Sequence, residues 1–314
     1  MKKVLRVILG LVISIFFLWL TFRRADWPQV LAILKQTKII FVIGSLLIAL
    51  FGLVLRSYRW KLLGKDYRNI PWRYFFRATN IGLMLNTFLP FRSGDFFQSY
   101  FLSRNSTLPQ SYTLATVFLE RLMDLLVPLL TIIIGSFFVV MPEQLNTHRM
   151  ILLLVFVLLF LGLFLRFRRQ IVGFFSNFLH SHHGEKLQRL LDNILRAVVF
   201  LKDRQVLTRA LPLTVFLWFV YALSNLLVLR SLDIRIGFWG AFLIQSITVM
   251  SVTIPSSPGY VGTWEFFGVL ALTIFGVEKN LALSFVVLGH FLALLPTAVL
   301  GLFYFYREVV LKRS

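Results

Sequence analysis

The sequence predicts an all-α polytopic membrane protein, and three observations support that prediction. Of its 314 residues, 58% are hydrophobic and 15% are charged, whereas soluble domains carry about 25% charged residues. Apolar runs close to the ~20 residues that cross a bilayer recur along the chain. The net charge of +20 comes from basic residues that lie mainly between those runs, as the positive-inside rule requires. We therefore expect no nucleic-acid partner, which would need a basic stripe.

The first two apolar runs, residues 7–20 and 39–55, predict full spans. Lys2 and Lys3 precede the first run and no small-residue cleavage site follows it, so we expect a retained span with a cytoplasmic N-terminus. Residues 23–38 are then an outer loop. The second run is followed by a predicted cytoplasmic loop with seven basic residues, which are Arg56, Arg59, Lys61, Lys65, Arg68, Arg73 and Arg77.

The segment at 85–100 interrupts an apolar run with a proline and with charged residues. Pro90 removes a backbone donor and Gly94 relaxes the dihedral limits, so the freed backbone groups need protein or water around them. Arg92 and Asp95 follow the break, and ionisable residues at membrane depth are functional candidates. The pattern predicts a re-entrant broken helix in which Pro90 and Gly94 form a gate.

The next long apolar stretch, residues 111–140, predicts a helix with three ionisable residues inside it. Glu120 and Asp124 are four residues apart and therefore share one face of the helix, with Arg121 beside them. Charged residues at this depth are expected to pair with one another or to face a cavity.

The rest of the chain repeats this plan. The predicted elements are an outer loop at 141–149, spans at 150–165, 211–229 and 281–306, and apolar arms at 239–254 and 260–275. Pro255 and Pro258 lie between those arms and are expected to form a second gate. Residues 166–209 predict a basic amphipathic helix on the cytoplasmic face. Basic residues at the end of the chain predict a cytoplasmic C-terminus.

We therefore predict one transmembrane domain, residues 1–314, built from two half-repeats at 1–149 and 150–314. Each half would contribute three full spans and one re-entrant hairpin, giving six full spans plus two Pro-broken hairpins. Because three is odd, the second half would be inverted relative to the first, as in many transporters with a central site. The arms of the second hairpin are about long enough to cross, so eight spans is an alternative.

Two arginines and four carboxylates fall in the apolar zone: Arg92, Arg121, Asp95, Glu120, Asp124 and Glu265. One interpretation is structural, with Arg–carboxylate pairs holding the broken helices. The other is recognition of a lipid head group, because the arginine fork donates two hydrogen bonds to a phosphate. Ser256, Ser257 and Gly259 precede a helix whose free N–H groups would point at the same charge. Asn86 completes the candidate substrate-binding set.

Other polar residues inside the apolar segments allow narrower predictions. Glu265 is expected to lie beyond capping range of its helix, to mirror Asp95 and to meet an arginine. His290 is predicted to be a packed or hydrogen-bonded core histidine. Gln98 and Gln245, like Asn86, are predicted to hydrogen-bond between helices.

The chain shows no sign of an enzyme. It has no cysteine, and therefore no thiolate nucleophile or Cys-based metal site. It also has no HExxH motif, Gly-rich phosphate loop or nucleophile elbow. Glu120 and Asp124 are not joined by further ligands at metal spacing. We expect no catalytic residue, no metal and no cofactor.

Three blocks resemble the signatures of the flippase-like, lysylphosphatidylglycerol synthase transmembrane family. They read LPFRSGD at 89–95, ERLMD at 120–124 and PSSPGYVG at 255–262, followed by Glu265. Ser-Pro-Gly replaces the usual Pro-Gly-Gly, and Asp95 stands where Glu is common. The resemblance implies a lipid-translocase-like domain. No soluble aminoacyl-transferase domain follows Ser314, so synthase activity is expected to be absent.

Three functions remain open at this point. The first is a translocase that moves a phospholipid or a polyprenyl-linked lipid across the cytoplasmic (inner) membrane. The second is a membrane-embedded transferase that modifies a lipid head group. The third is a non-catalytic partner of a glycosyltransferase or a lipid synthase, docked through residues 169–209.

Overall fold

The computed structural model describes residues 2–89, 92–140, 148–156, 159, 162, 163, 166, 167, 170, 204–254 and 256–310. The helices in this part of the chain are α1 (Lys2–Phe22), α2 (Trp27–Lys35), α3 (Ile39–Leu62), α4 (Trp72–Phe88), α5 (Ser93–Arg104), α6 (Gln110–Gly135), α7 (Arg204–Ser231), α8 (Phe238–Met250), α9 (Thr263–Thr273) and α10 (Lys279–Phe305). Residues 148–156 are also helical, and no strand occurs among the described residues. The all-α prediction is confirmed for them.

Three of the described helices are long and apolar enough to cross a membrane: Ile39–Leu62, Thr208–Ser231 and Lys279–Val309. Together with the composition of the chain, they confirm a membrane protein. Helix α6 has 26 residues and carries its three ionisable side chains in its interior. Pro90, Pro255, most of the predicted loop at 141–149 and most of the amphipathic segment at 166–209 lie outside the described residues. The predicted span at 150–165 is described in part, at residues 150–156, 159, 162 and 163, and these residues are helical.

Helix α3 is longer than the sequence indicates. It ends at Leu62 and not at residue 55, so Arg56 and Arg59 are helical and buried instead of lying in a cytoplasmic loop. Our assignment of these two arginines to the loop is wrong. The helix runs through both arginines because carboxylates of α6 neutralise their charges inside the protein, as the next subsection describes.

The predicted outer loop at 23–38 contains the short helix α2. Asp26 caps its N-terminus by accepting a hydrogen bond from the backbone N–H of Gln29, and Pro28 lies in the first turn. Both are standard helix-start signals. The backbone N–H of Asp26 also donates to the side chain of Asn280, which ties α2 to the start of α10.

The first broken segment is a hairpin of α4 and α5 whose two helices cross very closely. A Cβ atom on Gly94 would lie 2.6 Å from the backbone nitrogen of Asn86, and closer still to the carbonyl oxygen of Gly82. Gly94 itself is helical. The positive φ at this break belongs to Arg92, at 51°. Gly94 therefore permits close packing, and the prediction that it relaxes the backbone at the break is wrong.

The second broken segment is a hairpin of α8 and α9, with 13 and 11 residues. At 1.5 Å per residue these helices are about 20 and 17 Å long, against a hydrocarbon core of about 30 Å. They are also shorter than the predicted arms. Two short 3₁₀ turns, Ser251–Thr253 and Pro258–Tyr260, lie between α8 and α9. Gly259, in the second turn, has a φ of 69°.

Helix packing in the two halves follows one pattern. Exchanging α3 with α7, α4 with α8, α5 with α9 and α6 with α10 converts each packed pair among these helices into another packed pair. The pairs α3–α4, α4–α5, α5–α6 and α4–α10 correspond to α7–α8, α8–α9, α9–α10 and α8–α6. Helices α3 and α7 pack on each other and run antiparallel, with Gly44 against Leu227 and Gly52 against Tyr221.

The loops group at two opposite ends. Lys38 forms a salt bridge with Asp233, and Asn280 bonds to Gln29, so the predicted outer loop at 23–38 contacts the turn after α7 and the start of α10. At the other end, Arg77 forms a salt bridge of 3.0 Å with Glu308. A cluster of aromatic side chains lies at the same end, formed by Trp60, Tyr67, Phe75 and Tyr112. This grouping agrees with the predicted sidedness of those loops.

Candidate functional site

Four arginines and three carboxylates meet where α3, α4, α5 and α6 converge. We call this group the arginine–carboxylate cluster; its members are Arg56, Arg59, Arg92, Arg121, Asp95, Glu120 and Asp124. Helix α3 supplies two of the arginines, α6 supplies one arginine and two acids, and the start of α5 supplies Asp95. Arg92 lies at the break between α4 and α5.

The two acids of α6 bind the two arginines of α3. Arg59 lies 2.6 Å from Asp124 and 3.0 Å from Glu120, and Arg56 lies 2.8 Å from Asp124 and 3.1 Å from Glu120. The side chains of Arg59 and Glu120 are fully buried. The predicted shared face of Glu120 and Asp124 is confirmed, because both carboxylates reach the same two guanidinium groups.

Arg121 joins that pair of acids to the hairpin. Its guanidinium donates two hydrogen bonds to Asp95, at 3.0 and 3.2 Å, and a third to Asp124 at 3.3 Å. Asn86 donates to the same Asp95 at 2.9 Å, and Gln98 donates to Glu120 at 3.3 Å. These bonds confirm Asn86 and Gln98 as contacts between helices.

Arg92 differs from the other arginines in three ways. Its nearest carboxylate contact, to Asp95, is 3.5 Å long. Its side chain is 34% exposed, against 14% for Arg121 and 0% for Arg59. It also adopts a left-handed backbone conformation, which costs a non-glycine residue about 1–2 kcal/mol. With four arginines and three acids, the cluster has one positive charge in excess, and Arg92 is the least neutralised.

A cavity of about 300 Å³ lies between the two halves of the molecule. From the first half it is lined by Arg56, Asn86, Arg92, Arg121 and Asp124. From the second half its polar and aromatic lining includes Asn225, Gln245, Thr248, Trp264 and His290. The cluster therefore forms one wall of a central space, and the opposite wall carries neutral amide and hydroxyl groups.

Glu265 lies in the second half and pairs with a histidine. Its side chain is 2.6 Å from Nδ1 of His290, and it accepts a hydrogen bond from the backbone N–H of Gly262. Helix α9 begins at Thr263, later than predicted, so Glu265 caps it from its first turn. The predictions that Glu265 lies beyond capping range and meets an arginine are both wrong. His290 is buried and hydrogen-bonded, as predicted, and its ring also stacks on Trp264.

The remaining candidate residues, Ser256, Ser257 and Gly259, lie at the second break. The backbone N–H of Ser257 donates to Ser14 of α1, and Ser256 accepts from Thr263. Neither serine lines the cavity. Gly259 lies beside α4, since a Cβ there would be 3.4 Å from the carbonyl oxygen of Thr87. Free N–H groups are predicted at this helix start; one of them, that of Gly262, is bound by Glu265.

The sequence reasoning missed Arg56 and Arg59, although one signal for them was present. They are three residues apart, which places them on one helix face, matching the four-residue spacing of Glu120 and Asp124. Asn225 was not a candidate either; it donates to Gln245 at 2.6 Å and so confirms Gln245 as a contact between helices.

The described part of the chain holds no group of three His, Asp or Glu side chains arranged for a metal ion. The three acids of the cluster are instead bound by guanidinium and amide groups. The arrangement suits the binding of an anion by Arg92 at the edge of the cavity.

Residues 7–301 match the family described as "Lysylphosphatidylglycerol synthase TM region". Two relatives come from Methanocaldococcus jannaschii. "UPF0104 membrane protein MJ1595" is 20% identical over 99% of this chain and 97% of its own length. "UPF0104 membrane protein MJ1078" is 20% identical over 71% of this chain and 94% of its own length. The family resemblance inferred from the three sequence blocks is confirmed.

Proposed function

We propose that this chain, which belongs to the lysylphosphatidylglycerol synthase TM region family, moves a phosphate-bearing lipid between the leaflets of the cytoplasmic membrane. The observation that carries the proposal is the excess positive charge at Arg92, which borders a cavity between the two halves. An ionisable residue at membrane depth faces a substrate path or a partner, and the partner of Arg92 is distant.

Arg92 is the proposed phosphate ligand. No side chain caps the N-terminus of α5, which Arg92 precedes, so the positive end of that helix adds to the field of the guanidinium. Arg121 is less accessible because Asp95 and Asp124 occupy its donors. We therefore assign Asp95, Glu120, Asp124 and Asn86 to positioning the arginines, with phosphate contact mainly through Arg92.

The proposed topology has six full spans and two re-entrant hairpins in a 3+3 inverted repeat, with both termini in the cytoplasm. The matched helix pairs support the repeat, and the antiparallel packing of α3 on α7 supports its inversion. The short helices α8 and α9 favour re-entry over the alternative of eight spans. The two clusters of loops agree with the orientation given by the basic residues.

Movement of the lipid would come from rocking of the two halves about the central cavity. The breaks at Pro90–Gly94 and Pro255–Pro258 are the proposed gates. The 3₁₀ turn Pro258–Tyr260, beside the second break, packs on α4, the helix that precedes the first break. A displacement of one hairpin would therefore displace the other. No nucleotide is required by this scheme.

Reconstitution in liposomes tests the proposal. Acyl-labelled phosphatidylglycerol is followed from the inner to the outer leaflet by chemical quenching of the exposed label. Wild-type protein should speed this exchange, and Arg92→Gln should abolish the gain without loss of folded protein. Arg92→Lys keeps the charge but loses the planar fork, so it should also transport poorly.

The matched control is Arg104→Gln, an exposed arginine at the far end of the same helix. It should transport like the wild type. Equal transport by Arg92→Gln and the wild type would overturn the assignment of Arg92. A chemically altered lipid in the same vesicles would indicate a head-group transferase instead.

A further inference from the structure

The carboxylates beside the cavity have no oxygen free for a ligand, and this restricts the head group. In Asp124, Oδ1 binds Arg59 at 2.6 Å, while Oδ2 binds Arg56 at 2.8 Å and Arg121 at 3.3 Å. Each oxygen of this acid is therefore satisfied by the protein's own cations. A ligand cation would have to displace an arginine to reach it.

The other acids of the cluster are satisfied in the same way. In Glu120, Oε1 binds Arg59 and Oε2 accepts from Gln98. In Asp95, both oxygens accept from Arg121 at 3.0 and 3.2 Å. The arginine–carboxylate cluster thus offers an anion the partly free guanidinium of Arg92 and offers a cation no free carboxylate.

The second half provides no counter-ion either. Glu265 does not line the cavity, and its two oxygens are held by His290 and by the N–H of Gly262. Within the described ranges, Asp124 is the one acidic residue that lines the cavity. Trp264, whose ring could attract an ammonium group, has the imidazole of His290 stacked 5.0 Å from it, which covers one ring face.

We infer that the head group is an anionic phosphate ester without a cationic group, in which any further substituent is neutral and hydroxylated. This inference rests on the proposed function. An ammonium group in the cavity would lie near three arginines, and the carboxylate of Asp124 beside them is already bound by arginine, so the added buried charge would be poorly compensated. Hydroxyl groups would instead face the amides of Asn225 and Gln245 and the hydroxyl of Thr248.

A panel of acyl-labelled lipids in liposomes tests this inference. Phosphatidylglycerol and phosphatidic acid should move at least about tenfold faster than phosphatidylethanolamine and phosphatidylcholine, because only the last two bring an ammonium group. Equal rates for all four lipids would overturn the inference and leave the translocase function standing. Movement of none of them would overturn the function itself.

A charge-adding variant gives an independent readout. Gln245→Glu keeps the oxygen that accepts from Asn225 and adds a negative charge to the neutral wall. It should raise the rate for phosphatidylethanolamine relative to phosphatidylglycerol by about tenfold. Gln36→Glu, at an exposed position in an outer segment, is the matched control and should leave the ratio unchanged. An unchanged ratio in Gln245→Glu would count against the inference.

The same chemistry could come from a soluble phosphate ester. Glycerol phosphate is therefore added to wild-type liposomes at the concentration of the labelled phosphatidylglycerol. Unchanged lipid movement is expected, because the acyl chains add apolar area to the binding of the lipid. Full inhibition would show that the site prefers a soluble ester, and the lipid assignment would be overturned.

Discussion

The two halves place an acid and a base at corresponding positions. Asp95 is the third residue of α5 and pairs with Arg121, the twelfth residue of α6. Glu265 is the third residue of α9 and pairs with His290, the twelfth residue of α10. In both halves the residue before the shorter helix has a positive φ. The two acids thus occupy the same position in their helices, but Glu265 pairs with a histidine where an arginine is predicted.

The difference between the two pairs is the kind of base. Arginine keeps its charge at every physiological pH, whereas histidine exchanges a proton in that range. Arg121 also belongs to a network with further arginines, while the contacts of Glu265 are to His290 and its own helix start. One framework therefore carries an arginine–carboxylate pair in the first half and a histidine–carboxylate pair in the second.

The largest effect should come from removing an acid of the first half. Glu120→Ala leaves Arg56 and Arg59 under-compensated in a buried site, and breaking a buried pair costs about 3–5 kcal/mol. Thermal unfolding in detergent measures this loss. Glu265→Ala should cost less, because histidine can become neutral when its partner is lost. Asp66→Ala, at an exposed position, serves as the control and should change little. A smaller loss for Glu120→Ala than for Glu265→Ala would contradict the comparison.

The next largest loss of stability is expected from a glycine substitution at the first break, and it should exceed the loss at the second break. Gly94→Ala places a methyl group against the backbone of α4, and overpacking of this kind costs about 1–3 kcal/mol. Gly259→Ala makes only ordinary van der Waals contacts but must adopt a positive φ, which costs about 1 kcal/mol. Equal unfolding temperatures for the two variants would show that the close crossing of α4 and α5 contributes nothing special.

Gly94 and Gly259 show which features of the two breaks can be predicted from the sequence and which cannot. The break at Pro90 and the composition around it predict two helices in place of one continuous span, and α4 and α5 are two helices that pack on each other. Whether a glycine there serves backbone freedom or close approach depends on the helix opposite, which no local pattern contains. In the first break it is Arg92, and not Gly94, that takes the unusual conformation.

The misassigned arginines have a similar cause. A basic residue at the end of an apolar run predicts the end of a span, and Arg56 and Arg59 fit that pattern locally. Their partners, Glu120 and Asp124, are more than sixty residues away in the chain. Pairing between distant helices is decided by packing. The sequence pattern therefore identifies Glu120 and Asp124 as candidate site residues but does not identify the arginines with which they pair.

A smaller effect should come from the contact between α1 and the second break. Ser14 accepts a hydrogen bond of 2.7 Å from the backbone N–H of Ser257. Ser14→Ala removes that acceptor and should lower the free energy of unfolding by about 1 kcal/mol. Ser106→Ala, in the turn after α5 and away from α1, is a matched control for loss of one hydroxyl. A neutral Ser14→Ala would mean that α1 does not hold the second hairpin.

The smallest effect on stability, with a separate effect on transport, is expected for Glu265→Gln. The amide keeps the size and the acceptor oxygen of the carboxylate but removes its charge. Folding should therefore persist, while transport and its dependence on pH should weaken if the Glu265–His290 pair exchanges a proton. His290→Gln should have the same effect. A wild-type rate and pH profile in Glu265→Gln would leave this pair with a packing role.

The central claim is that Arg92 binds the phosphate of a lipid. The most direct measurement is binding of acyl-labelled phosphatidylglycerol to purified protein, compared between the wild type, Arg92→Gln and Arg104→Gln. A hydrogen bond to a charged group contributes about 1.5–3 kcal/mol, so Arg92→Gln should weaken binding at least about tenfold, and Arg104→Gln should leave it unchanged. Equal affinity of Arg92→Gln and the wild type would contradict the claim.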